Sequence, residues 1–176
     1  MSHPLAVIFD MDGVLVDSYH AHLKSWQLLA AGEGRAISEA EFAAQFGRTN
    51  REIIRTYWGE GRYNDQQIAV LDDRKEAAFR EILQADFPVM PGAKALLESL
   101  SGAGFGLAVG SSGPPENIDL VLSQLGVRSL FQAVVTARDV TRGKPDPQVF
   151  LIAAERLGIA PARCAVVEDA PAGLSA

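Results

Sequence analysis

Leu5-Ala6-Val7-Ile8-Phe9 is a short apolar run without alternation, the pattern of a strand buried on both faces inside a parallel sheet. It runs directly into Asp10-Met11-Asp12-Gly13-Val14-Leu15. From about Asp17 to Asp86 the apolar positions fall into helical spacing, with no strand signal. Asp17-Ser18 can cap a helix carrying His22, Trp26 and Leu29 up to Gly32 and Gly34. Ser38-Glu39-Ala40-Glu41 matches a capping box and opens a helix with Phe42 and Phe46 on one face, stopped by Gly47. Asn50 starts a further helix through Ile53, Ile54, Tyr57 and Trp58. A longer one is predicted over 64–85, with Ile68, Leu71, Ala78 and Ile82 at helical intervals.

After Pro88–Gly92 the pattern becomes an alternation of strands and helices. Helices are predicted over Ala93–Leu100, Pro115–Leu125 and Pro147–Leu157, the last two stopped by Gly126 and Gly158. Strands are predicted at Leu107–Val109, Ala133–Thr136 and Cys164–Val167. Strands alternating with helices predict an α/β fold, a doubly wound parallel sheet, with a helical insertion placed directly after the first strand. The insertion is expected to span residues 17–87, and the sheet domain residues 1–16 and 88–176. The chain stops at Ala176, soon after Glu168-Asp169, where a further packed helix should follow, so a truncated C-terminus is expected.

A chain of 176 residues suits one domain, or one domain with a smaller insertion. A formal net charge of -6 argues against a nucleic-acid footprint and against binding to an anionic membrane. It leaves room for an anionic substrate, because a local metal and a few cations outweigh the mean field. The single cysteine, Cys164, excludes an internal disulfide and reads as a buried strand residue. No apolar stretch approaches membrane-spanning length, and a soluble, cytoplasmic protein is expected.

Four strand ends carry distinctive residues: Asp10 and Asp12, then Ser111 and Ser112, then Lys144, then Glu168 and Asp169. In a parallel sheet these ends share one edge, so the groups can converge. Adjacent carboxylates repel and need an answering cation or proton. Carboxylates suit a hard cation such as Mg²⁺, and a lysine supplies a point charge for phosphate. The Gly110-Ser111-Ser112-Gly113 turn offers hydroxyl and N–H donors before a helix, and either serine can donate.

These stretches, with the Gly143-Lys144-Pro145-Asp146-Pro147 run and Val166-Val167-Glu168-Asp169-Ala170-Pro171-Ala172-Gly173, resemble in order the four motifs of the haloacid dehalogenase-like superfamily. The resemblance covers essentially the whole chain. It implies a Rossmann-like core, with the helical insertion similar to the cap of the beta-phosphoglucomutase-like and phosphoglycolate-phosphatase-like branch. It implies that Asp10 is the nucleophile that becomes an aspartyl-phosphate, and Asp12 the general acid/base. Lys144 and Ser111 match the groups that hold the phosphoryl. Asp169 and Glu168 match the Mg²⁺-binding motif, to which Asp10 and Asp12 also belong, Asp12 through its backbone carbonyl. True dehalogenases lack the second aspartate, which sets this chain apart from them.

Substrate choice is expected to lie in the cap. His22 aligns with a hinge-proximal histidine of beta-phosphoglucomutases, against the plainer reading of a helix-surface residue. The loop holding Gly47, Arg48 and Arg51 is expected to touch substrate, as is Ser112. Mutases of this branch carry a lysine just before the loop glycine and an arginine three after it, where this chain has Phe46 and Asn50. The expected activity is therefore a Mg²⁺-dependent phosphatase of a small phosphorylated metabolite, a sugar phosphate. The alternatives are a beta-phosphoglucomutase, and an inactive fragment or binding module.

Overall fold

The computed structural model describes residues 5–46 and 48–176. Strand β1 (Ala6–Phe9) is buried at every position and lies between β2 (Gly106–Gly110) and β4 (Cys164–Val167), with β3 (Ala133–Val135) beyond β2. All pairings are parallel. Phe9 pairs with Val109 on one side and Val167 on the other, so three strands end at one level. The residues that follow them are Asp10, Gly110-Ser111 and Glu168. Register alone thus places chemically distinct groups side by side, as parallel sheets with crossover helices do at their carboxyl edge.

Each crossover is a helix: α5 (Ala93–Gly102) before β2, α6 (Pro115–Leu125) before β3 and α7 (Gln148–Leu157) before β4. Helix α7 lays Val149, Phe150, Ala153 and Ala154 against Ile8, Ala108, Ala133 and Val135. Gly126 and Gly158 end α6 and α7 in the left-handed conformation that glycine adopts without a Cβ penalty. Strand β4 departs from expectation. It is an edge strand, with Ala165 and Val166 exposed and Cys164 only half-buried, because no strand covers its outer side among the described residues. A short helix, α8 (Pro171–Leu174), follows it.

The chain divides into two compact units, one made of Phe87–Ala176 with the chain up to Asp17, the other of Ser18–Asp86. The second unit is all-helical: α1 (Tyr19–Gly32), α2 (Glu39–Ala43), α3 (Asn50–Trp58) and α4 (Asp65–Ala85). Reciprocal capping boxes start three of them, through Ser38 with Glu41, Thr49 with Glu52, and Asn64 with Gln67. Ser18 stands at the N-cap of α1 in a helical backbone conformation, without the side-chain cap bond. Helix α2 ends earlier than its apolar spacing suggests. Phe42 is buried, while Phe46 lies past the helix and is 42% exposed. Gly47, expected to stop that helix, lies outside the described residues. Helix α4 is rotated relative to its predicted face: Lys75, Glu76, Phe79 and Leu83 are buried, whereas Ala78 and Ile82 are half-buried.

Trp26, Phe42, Ile54 and Tyr57 centre the helical unit's core. Trp26 is 1% exposed and meets Tyr57 edge-to-face at 5.9 Å. Trp26→Ala is expected to cost about 3–5 kcal/mol, measured as a lower midpoint in urea unfolding monitored by far-UV circular dichroism.

Candidate active site

The loop after β1 is wound tightly on one carbonyl. The backbone N–H groups of Val14, Leu15 and Val16 all point to the Met11 oxygen, at 3.3, 2.8 and 3.3 Å, and Gly13 N–H donates to the Val16 oxygen. Gly13 takes φ +70°, which an L side chain rarely adopts. A Cβ there would overlap the Asp169 carboxylate. At Gly173, in α8, a Cβ would overlap the Glu168 carboxylate. Both glycines thus leave the space in which the two acids sit. They were legible as motif members, but the reason for them is tertiary.

Asp10 N–H donates to the Val167 oxygen at 3.0 Å, locking the end of β1 to the end of β4. The Asp10 side chain is 11% exposed, that of Glu168 1% and that of Lys144 10%. Lys144 Nζ sits 3.1 Å from Asp10 Oδ2 and 2.6 Å from Glu168 Oε2, so one ammonium answers two carboxylates. Carboxylate oxygens of Asp10, Glu168 and Asp169 lie within 4.8 Å of one another. Asp12, expected beside them, is half-buried and its carboxylate is outside this group.

Three carboxylates against one ammonium leave the site short of positive charge. The strain is visible at Asp10, whose carboxyl is raised from 3.8 to about 7. Burial is the largest cause; Asp12 and Glu168 push the same way, and Lys144 opposes them. Asp169 is raised as well, chiefly by burial and then by Glu168 and Asp12. A set of hard oxygen donors with excess negative charge fits a divalent cation such as Mg²⁺, held by Asp10, Glu168 and Asp169.

Ser111 closes β2. Its N–H donates to the Val135 oxygen at 3.1 Å, and its buried hydroxyl accepts from Gly113 N–H at 3.1 Å. The hydroxyl therefore shapes the turn rather than capping α6, which begins with Pro115. Ser112 beside it is exposed.

The expected substrate residues of the helical unit have local partners. Arg48 donates to Gln45 Oε1 at 2.9 Å and lies 3.9 Å from Glu52; Arg51 pairs with Asp65 at 2.5 Å. Both arginines are about half exposed, and such surface pairs contribute little to stability. His22 is different. Its ring stacks on Phe79 at 4.1 Å and its Nδ1 lies 2.9 Å from Lys75 Nζ. An ammonium only donates, so Nδ1 accepts. Lys75 is 1% exposed and also donates to Glu76 Oε1 at 2.8 Å. Asn50 Nδ2 donates to Asp72 Oδ1 at 2.5 Å and to Glu76 Oε1 at 2.6 Å. Burial foremost raises the Asp72 carboxyl above its usual range. This network escapes a sequence reading tuned to apolar spacing. Its signal is a lysine in phase with Ile68, Leu71, Phe79 and Leu83 on α4.

The fold and this edge define an α/β enzyme whose chemistry is built at the carboxyl ends of parallel strands. Residues 4–176 match the haloacid dehalogenase-like hydrolases, and the chain belongs to that family. It is 31% identical to the beta-phosphoglucomutase of Bacillus subtilis over 177 residues, covering 97% of this chain and 77% of that protein. It is 36% identical to hexitol phosphatase A of Escherichia coli over 170 residues, covering 95% and 75%. The crystal structure of a beta-phosphoglucomutase from Clostridium difficile superimposes with a TM-score of 0.87 at 24% identity, over 99% of this chain and 79% of that one.

Gly173→Ala is expected to push the Glu168 carboxylate from its place and weaken Mg²⁺ binding roughly tenfold to a hundredfold. Isothermal calorimetry with MgCl₂, on protein whose circular dichroism is unchanged, measures it.

Proposed function

We propose that the protein is a Mg²⁺-dependent phosphatase that hydrolyses a small phosphorylated metabolite, a sugar phosphate, in the cytoplasm. The observation that carries this reading is the buried Asp10 carboxylate, held 3.1 Å from Lys144 within a three-carboxylate group at the sheet edge. Family membership supports it, as do the activities of relatives, which include hexitol phosphatase A and fructose-1-phosphate phosphatase.

In the proposed mechanism an Asp10 oxygen attacks phosphorus and the ester P–O bond breaks, leaving an aspartyl-phosphate. Asp12 gives its proton to the departing oxygen. It then takes a proton from water, whose oxygen attacks phosphorus, freeing phosphate and restoring the Asp10 carboxylate. Lys144 and Ser111 hold the phosphoryl oxygens, and Lys144 also favours the ionised form of Asp10 against the effect of burial. Asp10, Glu168, Asp169 and Asp12, the last through its carbonyl, would hold Mg²⁺. When bound, the ion spreads the negative charge that develops on the transferring group.

The helical unit is assigned the role of the cap that selects substrate, through His22, Arg48, Arg51 and the loop at Gly47, with Ser112 contributing from the sheet side. One observation favours a phosphatase over the second reading, a phosphomutase. Asn50 stands where mutases of this branch carry an arginine, and its amide is spent on the carboxylates of Asp72 and Glu76. A second phosphate brought to that position would meet Asp72 and Glu76, with the nearby Lys75 ammonium already paired to Glu76, an arrangement that costs affinity.

Phosphate release from a panel of phosphorylated sugars is expected to require Mg²⁺, to need no added sugar bisphosphate, and to fall roughly a thousandfold or more in Asp10→Asn. Release that persists in Asp10→Asn, or that appears only with a bisphosphate activator, would overturn the assignment.

A second prediction follows from the charge shortage. The folded, metal-free protein holds a proton on Asp10 up to about pH 7, whereas the unfolded chain releases it near 3.8. More protons bound in the folded state means that this group's contribution to stability falls as pH rises from about 4 to about 7. Mg²⁺ requires the ionised form, so the rise in Tm on adding MgCl₂ is expected to be larger at pH 8 than at pH 5. In Asp10→Asn the pH-dependent part of that rise should shrink, the raised Asp169 carboxyl supplying what remains, as read by differential scanning calorimetry.

A further inference from the structure

We infer that Phe150 is a positioning residue for Lys144. Its ring, seated where Gly110 has no side chain, holds the ammonium against Asp10 and Glu168 through a cation–π contact.

Lysine is a point charge on a flexible four-carbon stem, so drawing it between two acids does not by itself fix where it stops. One of its N–H donors goes to Glu168 Oε2 at 2.6 Å, while Asp10 Oδ2 lies 3.1 Å from the same Nζ as an ion pair. The Phe150 ring lies against the same ammonium, its centroid 5.1 Å from Nζ, inside the roughly 6 Å range of a cation–π attraction. With the lysine side chain only 10% exposed, little water competes for that face. The electron-rich ring face attracts the cation, yet it cannot take a proton from it or pair with it as a third carboxylate would.

The ring's own place is set from below. Phe150 lies in the first turn of α7, 6% exposed, in the core that α7 makes with the sheet. A Cβ added at Gly110 would stand 3.1 Å from Phe150 Cδ1 and 3.2 Å from Ile8 Cγ2, closer than carbons pack without shifting. The last residue of β2 is thus bare where the ring passes. Gly110, Phe150 and Lys144 form a stack from sheet core to site edge, ending at the carboxylates.

The inference rests on the phosphatase reading for its kinetic consequence, but not for its geometry. Mono-, di- and trifluorophenylalanine placed at position 150 alone retain the ring while stripping charge from its face. With p-nitrophenyl phosphate and saturating MgCl₂, kcat is expected to fall stepwise with each fluorine. Phe150→Leu should lose roughly threefold to thirtyfold, with KM changed less than kcat. A ring needed only for packing would show no graded response to fluorine. Independently of turnover, the Lys144 ¹Hε–¹³Cε resonance, assigned with Lys144→Met, is expected upfield from the ring current and should return to the ordinary lysine position in Phe150→Leu.

If wild-type protein releases no phosphate, the phosphatase reading fails, and the resonance still decides the contact. An unshifted Lys144 resonance, or equal rates across the fluorinated series, would overturn the inference. If Phe150→Leu does not fold, the fluorinated series decides alone.

Discussion

Negative charge crowded at the end of a buried strand is the constraint on which the rest of the site depends. Asp10 follows β1, an inner strand buried at every position, and Asp12 and Glu168 lie near enough to raise both the Asp10 and the Asp169 carboxyl. Burial alone would return such carboxylates to their protonated forms. Lys144 opposes that at Asp10 and also pairs with Glu168, but one ammonium does not answer three acids. A site left in this state is poised for a cation.

The backbone around the acids reflects the same demand for space. Gly13 and Gly173 sit against the Asp169 and Glu168 carboxylates, and Gly110 sits against Phe150. At each of these positions a methyl group would enter volume that a site group or its support occupies. The glycines are therefore best understood through their neighbours; only Gly13 also needs its backbone conformation.

The helical unit handles charge in its interior differently. Lys75 is enclosed among Trp26, Phe79, His22 and Glu76, each of which offers it an acceptor or a π face. Removing one partner of so buried a group leaves the other uncompensated, which makes such a network costly to alter. Asn50 ties it to α3 by bridging Asp72 and Glu76.

The fold class was legible because apolar runs such as 5–9 and 164–167, separated by helical spacing and glycine stops, can be buried in few other ways. The carboxylates and Ser111 were legible because each closely follows a strand, where a parallel sheet collects ligands, whereas Lys144, in the loop well past β3, was legible through its Gly143-Lys144-Pro145-Asp146 run. What the linear pattern misjudged were matters of neighbours. Cys164 and Val166 read as core and lie on an edge strand, since burial depends on what packs outside. Lys75 and Glu76 fall outside any apolar pattern yet are buried, because hydrogen bonds and aromatic faces let a polar pair occupy a core position. Phe150 belongs to the core of α7 and the sheet, and only the fold brings its ring against Lys144. The sequence by itself determined the order of elements and the chemistry placed at their ends, because both follow from local periodicity. Only the tertiary structure decided which of those groups meet, and which glycine makes room for which acid, because distances between remote residues are set by packing and strand register.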